Sequence, residues 1–245
     1  MSVLKRSLLL ILLLAVVAYM VLAITAFSRK PEGMVCEDVE FISLDTTATG
    51  FITKREILTL LTANKLNPIG VNLDSVNTNR MEELLATHPA IKSVDCYKSP
   101  SGKVCINISP RIPVLRVMAV DGEDYFVDGE GSIIPSHRNI AHIAVVTGRA
   151  DKDFVSKELY KFGVFLQRNE FWNSQIEQIN VLSGNNIELV PRVGDHLIYM
   201  GKMDSYQRKL ERLRIFYRKV LNEIGWNKYS KINIEFSNQI VCTKR

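Results

Sequence analysis

The chain has 245 residues, four cysteines and a formal net charge of +5, from 31 lysines and arginines against 26 aspartates and glutamates. Four scattered cysteines without a C-x-x-C pair exclude a disulfide-stapled scaffold, and the length suits one large or two modest domains with buried cores. Lys5 and Arg6 are the only charged residues before position 28, so residues 28–245 carry 29 basic and 26 acidic side chains and are nearly neutral. We therefore expect no nucleic-acid partner.

Residues 8–27 form an uninterrupted apolar stretch without a charged residue, Asn, Gln, Gly or Pro. A helix of this length is about 30 Å long, which matches the hydrocarbon thickness of a bilayer. The alternative is a secretory signal peptide, whose apolar region usually has only about 7–15 residues before a cleavage site. The pattern favours a transmembrane helix at 8–27, with residues 1–7 in the cytoplasm. Residues 28–245 would lie on the other side, because long domains translocate largely regardless of flanking charge.

The segment after the apolar stretch carries two signals for the start of a helix. Thr53 and Glu56 form a T-x-x-E capping box, in which the hydroxyl and the carboxylate each satisfy an unpaired backbone N–H of the first turn. Asn77 caps a second helix, which ends before Pro89 because the residue preceding a proline disfavours helical angles. Apolar residues recur at helical spacing after both caps. We therefore predict two amphipathic helices.

Three strands surround these helices, in the order strand, helix, helix, strand, strand. They are predicted at Val35–Leu44, Ile91–Tyr97 and Lys103–Ser109. A three-stranded sheet with both helices on one face would bury the apolar side chains. The last two strands form a hairpin. A disulfide between Cys96 and Cys105 could form across it in an oxidising compartment. The alternation of side chains argues against this bridge, because it points the two cysteines to opposite faces.

The second half of the chain mixes short strands with two long helices. A strand, turn and strand are predicted over Tyr125–Pro135, with Asp128 and Gly129 in the turn. Amphipathic helices are predicted from about Asp151 to Arg168 and from about Asp204 to Ile224, the second ending at Gly225. Further strands are predicted at Ile176–Leu182, Ile187–Pro191, His196–Met200, Lys231–Phe236 and Gln239–Thr243. The fold class is therefore α+β.

These stretches carry a resemblance to a known family. The segments "VNLDSVNTNRMEELLATHPAIKSV" and "VCINISPRIPVLRV" resemble a POTRA (polypeptide-transport-associated) domain, with the strand and helix order β-α-α-β-β. With one apolar helix ahead of it, and with "YFVDGEGSIIP" and "MGKMDSYQRKLERLRIFYRKV" behind it, the chain resembles the bacterial cell-division family FtsQ/DivIB. Ala90 replaces the family's usual aromatic residue, and Pro110 replaces a glutamate. The resemblance implies a POTRA domain at 35–110 and a mixed β domain at 111–245.

The residues offer no catalytic constellation and no motif for a metal or cofactor. The four histidines fall in turns or at strand starts, without an H-E-x-x-H pattern, and are interpreted as facing solvent. There is no nucleophile elbow, phosphate-binding loop or dinucleotide fingerprint. The basic stretch Arg208–Lys219 is interpreted as the solvated face of a core helix, with binding of anionic lipid or an acidic polymer as the alternative. We expect no enzyme activity and no cofactor.

The last strand of the chain is the candidate site. We expect this strand to have at most one neighbour in its sheet, so that its unpaired N–H and C=O groups can template a partner strand. The resemblance implies that the last strands and the helix before them receive the FtsB/DivIC subunit, which also brings FtsL. The candidate partner-binding residues are Tyr229, Phe236, Gln239, Ile240, Val241, Cys242 and Thr243.

The resemblance implies a non-enzymatic scaffold of the division machinery. It would be a single-pass protein of the cell inner membrane with its bulk in the periplasm, enriched at the septum. Its partners would be FtsB/DivIC and FtsL, and through them the septal peptidoglycan synthase FtsW with its transpeptidase FtsI. Two alternatives come from other classes. One is a POTRA-bearing translocation or chaperone component of the envelope, and the other is an anchored envelope enzyme.

Overall fold

The computed structural model describes residues 2–27, 33–42, 51–136 and 142–245, and within the first helix it describes the side chains of residues 11–23. That helix, α1, runs over Ser2–Phe27. Within the described residues, no helix is both long enough and apolar enough to cross a membrane. The predicted span 8–27 extends beyond residues 11–23 at both ends, so it stays a prediction.

The first half of the chain forms a three-stranded sheet with two helices beside it. Its strands are β1 (Val39–Ile42), β2 (Ile91–Lys98) and β3 (Val104–Pro110), and the helices beside it are α2 (Lys54–Ala63) and α3 (Thr78–Ala86). The order is β1-β3-β2, with β1 parallel and β2 antiparallel to β3. Apolar side chains of both helices pack with the inner face of the sheet in one core: Ile57, Leu61, Met81, Leu85, Val104, Ile106 and Ile108. The predicted sheet and helices are confirmed.

The local signals of this half form as predicted. The Thr53 hydroxyl accepts the Glu56 N–H at 3.2 Å, and the Glu56 carboxylate accepts the Thr53 N–H at 2.8 Å, which completes the capping box. Asn77 caps α3 through a 3.0 Å bond from the Arg80 N–H to its side-chain oxygen. In the hairpin Cys96 lies opposite Ile106, so Cys105 is on the other face, and all four cysteines are free. The predicted register of the hairpin is confirmed.

A nine-stranded mixed sheet carries the second half. Its strands are β4 (Pro113–Ala119), β5 (Asp124–Asp128), β6 (Ile133–Pro135), β7 (Val145–Gly148), β8 (Ile176–Leu182), β9 (Asn186–Pro191), β10 (Leu197–Gly201), β11 (Tyr229–Asn233) and β12 (Val241–Lys244). The order is β12-β11-β10-β9-β8-β7-β4-β5-β6. The pairs β4–β7, β7–β8 and β10–β11 are parallel, and the other pairs are antiparallel.

Helices pack against this sheet and share its core. They are α4 (Lys152–Phe154), a π-helical turn (Val155–Leu159), α5 (Tyr160–Arg168), α6 (Glu170–Gln175), α7 (Tyr206–Phe216), a second π-helical turn (Tyr217–Leu221) and α8 (Asn222–Ile224). Both predicted long helices are confirmed, and Gly225 ends the second with a φ of 92°. Strands β4 and β7 and helix α6 were not predicted, although α6 buries Trp172. Gly163 of α5 lies so close to β4 that a Cβ there would approach the Leu115 Cγ to 2.6 Å.

The two sheets meet through β5 and β6. Phe126 of β5 packs edge-on against Phe51 with ring centroids 4.8 Å apart, and Ile134 of β6 is buried in the core of the first half. Arg111 donates to the Asp128 carboxylate at 2.7 Å. The other oxygen of Asp128 accepts the N–H groups of Glu130 and Ser132, which fixes the turn between β5 and β6. The POTRA-like half thus covers the β6 end of the large sheet.

The first and the penultimate predicted strands need correction. The first strand begins at Val39, because Val35 makes only an isolated bridge to Asn72, and its predicted end at Leu44 lies outside the described residues. The penultimate strand is Tyr229–Asn233 and its alternation stops at Ile234, so Phe236 is 43 % exposed. The chain turns there because the Asn233 side chain accepts the Glu235 N–H at 2.9 Å.

The interpretation of the histidines is wrong for one of them. His196 is only 1 % exposed, while His142 is exposed and His88 is half-buried. Its Nε2 lies 2.8 Å from the Tyr217 hydroxyl of the second π-helical turn. Burial lowers the pKa of His196. His137 lies outside the described residues.

Candidate partner-binding edge

Strand β12 forms one end of the nine-stranded sheet. It pairs antiparallel with β11, with Val241 opposite Asn233 and Thr243 opposite Lys231. Along the order of the sheet, no other described strand lies beside it. Its predicted bounds were Gln239–Thr243, and the observed strand is Val241–Lys244. One side of this strand is therefore open.

The hydrogen bonds of β11 decide which backbone groups of β12 face outward. The Ile234 N–H donates to the Tyr199 carbonyl of β10 at 2.9 Å, so by alternation the N–H of Asn233 faces β12. The Thr243 carbonyl also faces β11, because it accepts the Ser230 hydroxyl at 3.3 Å. Residues between these inward positions must point the other way. The N–H and C=O groups of Cys242 and the N–H of Lys244 therefore face the open side.

Side chains of β12 alternate between the core and solvent. Cys242 lies opposite the fully buried Ile232, packs against the core of the large sheet and is half-buried. Burial raises the pKa of the Cys242 thiol, so it behaves here as an apolar side chain. Val241 is 46 % exposed and Thr243 is exposed. An added strand would thus meet both an apolar and a polar side chain.

A groove of about 330 Å³ lies beside this edge, between the end of helix α7 and the chain that leads into β12. Its lining residues are Arg212, Ile215, Phe216, Lys219, Val220, Asn238, Gln239 and Ile240. Four of these residues are apolar, and two, Arg212 and Lys219, are cationic. Arg212 donates to the Ile234 carbonyl at 3.0 Å, which ties the helix to the chain just after β11.

A buried lysine fixes the start of helix α7. Lys209 is 5 % exposed, and its Nζ donates to the Lys202 carbonyl at 2.9 Å, the Asp204 carboxylate at 3.0 Å and the Met200 carbonyl at 3.2 Å. These acceptors compensate the loss of hydration of a buried ammonium group. Lys209 therefore holds α7 against the end of β10, and so positions the groove.

The last residue anchors the far end of β12. The Arg245 guanidinium donates to the Asp195 carboxylate at 3.1 Å and to the Asp195 carbonyl at 2.9 Å. The Arg245 N–H donates to the Lys228 carbonyl at 3.4 Å. These bonds join the end of the edge strand to the loop before β10, next to the buried His196. The edge is therefore held at its far end without a second strand.

The seven predicted residues lie in four places in the structure. Val241, Cys242 and Thr243 form the edge strand, and Gln239 and Ile240 line the groove next to it. Tyr229 lies at the other end of the edge opposite Lys244, half-buried, with its ring 6.2 Å from that of Phe216. Phe236 lies in the connection between β11 and β12 and is exposed. That these residues bind a partner stays a prediction.

Sequence reasoning missed the residues that position the edge. Lys209 and Arg212 were assigned only to the basic stretch Arg208–Lys219, and no role was predicted for Arg245. The signal for Lys209 was present, because it precedes the buried Leu213 by four positions and so falls on the inward face of the helix. In the part of the chain that the structure describes, no group of His, Cys, Asp or Glu side chains is placed to hold a metal ion.

The comparisons with known proteins agree with this architecture. A POTRA-like domain family matches residues 34–109, and the family described as FtsQ/DivIB, C-terminal related, matches residues 112–243. No curated protein matches the chain. The second match covers more than half of the chain and includes β4 to β12, so the chain belongs to the FtsQ/DivIB family of bacterial cell-division proteins.

Proposed function

We propose that this chain is a membrane-anchored, non-enzymatic scaffold of the bacterial division machinery. Residues 8–27 anchor it in the inner membrane, and residues 28–245 lie in the periplasm. The β12 edge captures FtsB/DivIC by strand addition, and FtsL arrives with it. The assembly then contacts FtsW and FtsI at the septum. Its contribution is recruitment.

The open side of β12 is the observation that carries this proposal. Strand addition needs unpaired backbone groups for affinity and nearby pockets for specificity. The outward groups of Cys242 and Lys244 supply the first, and the groove at Ile240 supplies the second. Arg212 and Lys219 in the groove favour a partner segment that places an acidic residue beside an apolar one.

Anchoring of both partners in one membrane explains how the short strand β12 can bind a partner stably. Four residues of β12 offer few main-chain hydrogen bonds, and each contributes only about 0.5–1.5 kcal/mol. Two chains anchored in the same membrane bind as if at high local concentration, which can raise overall affinity by about 10²–10⁴-fold. Weak pairwise contacts then hold the assembly together.

The test uses the full chain in the cells from which it comes. A fluorescently tagged copy should form a band at midcell, and affinity purification should recover FtsB/DivIC together with FtsL. Uniform envelope fluorescence together with recovery of outer-membrane clients would refute the proposal and favour a POTRA-bearing translocation component. A midcell band without FtsB/DivIC would keep the division role and refute the edge as its site.

A further inference from the structure

The outer edge of β2, in the small sheet, carries a contact that the proposed function does not use. The Cys96 N–H donates to the Glu82 carboxylate of helix α3 at 2.6 Å. The Val104 N–H of β3 donates to the Asp38 carbonyl on the β1 side at 3.3 Å, so by alternation Ile106 also faces β1. Cys96 lies opposite Ile106, and its N–H therefore points away from β3. A side chain of the same domain thus takes the position that the carbonyl of an added strand would take.

This edge is long enough to accept a strand. β2 has eight residues. Because backbone groups alternate, Val94 and Lys98 direct their N–H and C=O groups to the same side as Cys96. Such a row is a template for pairing with another chain unless the protein blocks it. Glu82 blocks its centre.

We infer that the Glu82 carboxylate prevents this edge from pairing with the β2 strand of a second copy of the chain. Two antiparallel β2 strands centred on Cys96 would place Val94 opposite Lys98 and Asp95 opposite Tyr97, with no like charges facing each other. All three outward residues would then form hydrogen-bonded pairs across the two-fold axis. In the wild type the partly buried hydrogen bond from the Cys96 N–H to Glu82 must break first, which leaves a carboxylate without its donor.

The contact between Glu82 and Cys96 restricts strand addition to the β12 edge of the large sheet. If β2 were open, copies in one membrane would pair with each other through the small sheets. The exposed Lys92 and Lys98 lie at the two ends of β2. Charged residues on an edge strand disfavour pairing with another strand, so these lysines add to the effect of Glu82. Lys92 is bonded to Glu130 at 2.6 Å, so it also belongs to the junction between the two halves. The inference does not depend on which partner binds β12.

The experiment compares Glu82→Ala with Glu82→Gln in the full chain, purified in detergent. The amide oxygen of Gln still accepts the Cys96 N–H, whereas Ala does not. By sedimentation equilibrium in density-matched detergent, E82A should form a concentration-dependent dimer, while E82Q and the wild type stay monomeric. At low protein concentration, the Cys96 amide of E82A should exchange its hydrogen about tenfold or more faster than in the wild type.

Three results would overturn the inference. One is an E82A chain that is folded by circular dichroism and monomeric at every concentration. Another is an E82Q chain that dimerises as readily as E82A. The third needs no variant: in the wild type the Cys96 amide should exchange more slowly than the outward amide of Lys98, and equal rates would show that Glu82 does not close the edge.

Discussion

Replacing Cys242 by proline tests the edge mechanism directly, because its N–H faces the open side. Proline removes this donor, and its ring fills the place of the incoming backbone. No hydrogen bond inside the sheet is lost, because the bonds to β11 come from Val241 and Thr243. The C242P chain should therefore unfold with a free energy within about 1 kcal/mol of the wild type.

The expected loss of binding follows from one unpaired acceptor on the partner strand. A carbonyl left without its donor in an interface costs about 1–3 kcal/mol, which corresponds to roughly a 5–150-fold rise in Kd. The assay is biolayer interferometry, with the full chain immobilised in nanodiscs and the periplasmic segment of FtsB/DivIC in solution. Urea unfolding, followed by the fluorescence of Trp172 and Trp226, measures stability in parallel.

Two control variants separate binding from folding. Cys242→Val keeps the N–H and the apolar contact with the core, so it should bind like the wild type. Val241→Pro removes an inward N–H, so it should lower the free energy of unfolding by about 1–3 kcal/mol. If C242P binds as tightly as C242V, or loses as much stability as V241P, the outward N–H of Cys242 does not pair with the partner strand as proposed.

Three further predictions concern folding. Burial lowers the pKa of His196, so the unfolded chain binds the proton more readily; stability should be full above about pH 6.5 and should decline below it, more steeply in the wild type than in H196Q, by urea unfolding at several pH values. Lys209→Met should cost about 1–3 kcal/mol because three oxygens lose their donor, whereas the exposed neighbour Arg208→Ala should stay within about 0.5 kcal/mol; equal effects would contradict the role of Lys209. Gly163→Ala should cost about 1–3 kcal/mol, because its Cβ would meet the Leu115 Cγ at 2.6 Å, and an unchanged melting temperature would show that the helix shifts freely.

The strands β6, β2 and β12, at ends of the two sheets, differ in what packs against them. At the β6 end of the large sheet, Ile134 is buried in the core of the first half of the chain. The β2 edge of the small sheet is closed by the Glu82 carboxylate. At the β12 edge the outward backbone groups of Cys242 remain free, while Arg245 anchors the strand at its end. The contrast between β2 and β12 favours β12 as the docking edge.

Much of the fold could be predicted because its signals are local. The capping box at Thr53 needs only residues within one helical turn, and the register of Cys96 opposite Ile106 follows from the alternation of neighbouring strands. The long helices were predictable for the same reason, since their apolar spacing repeats over several turns. These features depend on residues close together in the sequence.

The tertiary structure alone decided how distant segments meet. β7 is only four residues long and is specified by pairing with β4 and β8, about thirty residues away on either side. The burial of His196 depends on Tyr217 and Trp226, and the bonds of Lys209 depend on where β10 ends. The sequence by itself determined most of the elements and the family. Packing between remote elements decided which backbone groups of β12 face outward, because that direction is set by the hydrogen bonds of β11 to β10.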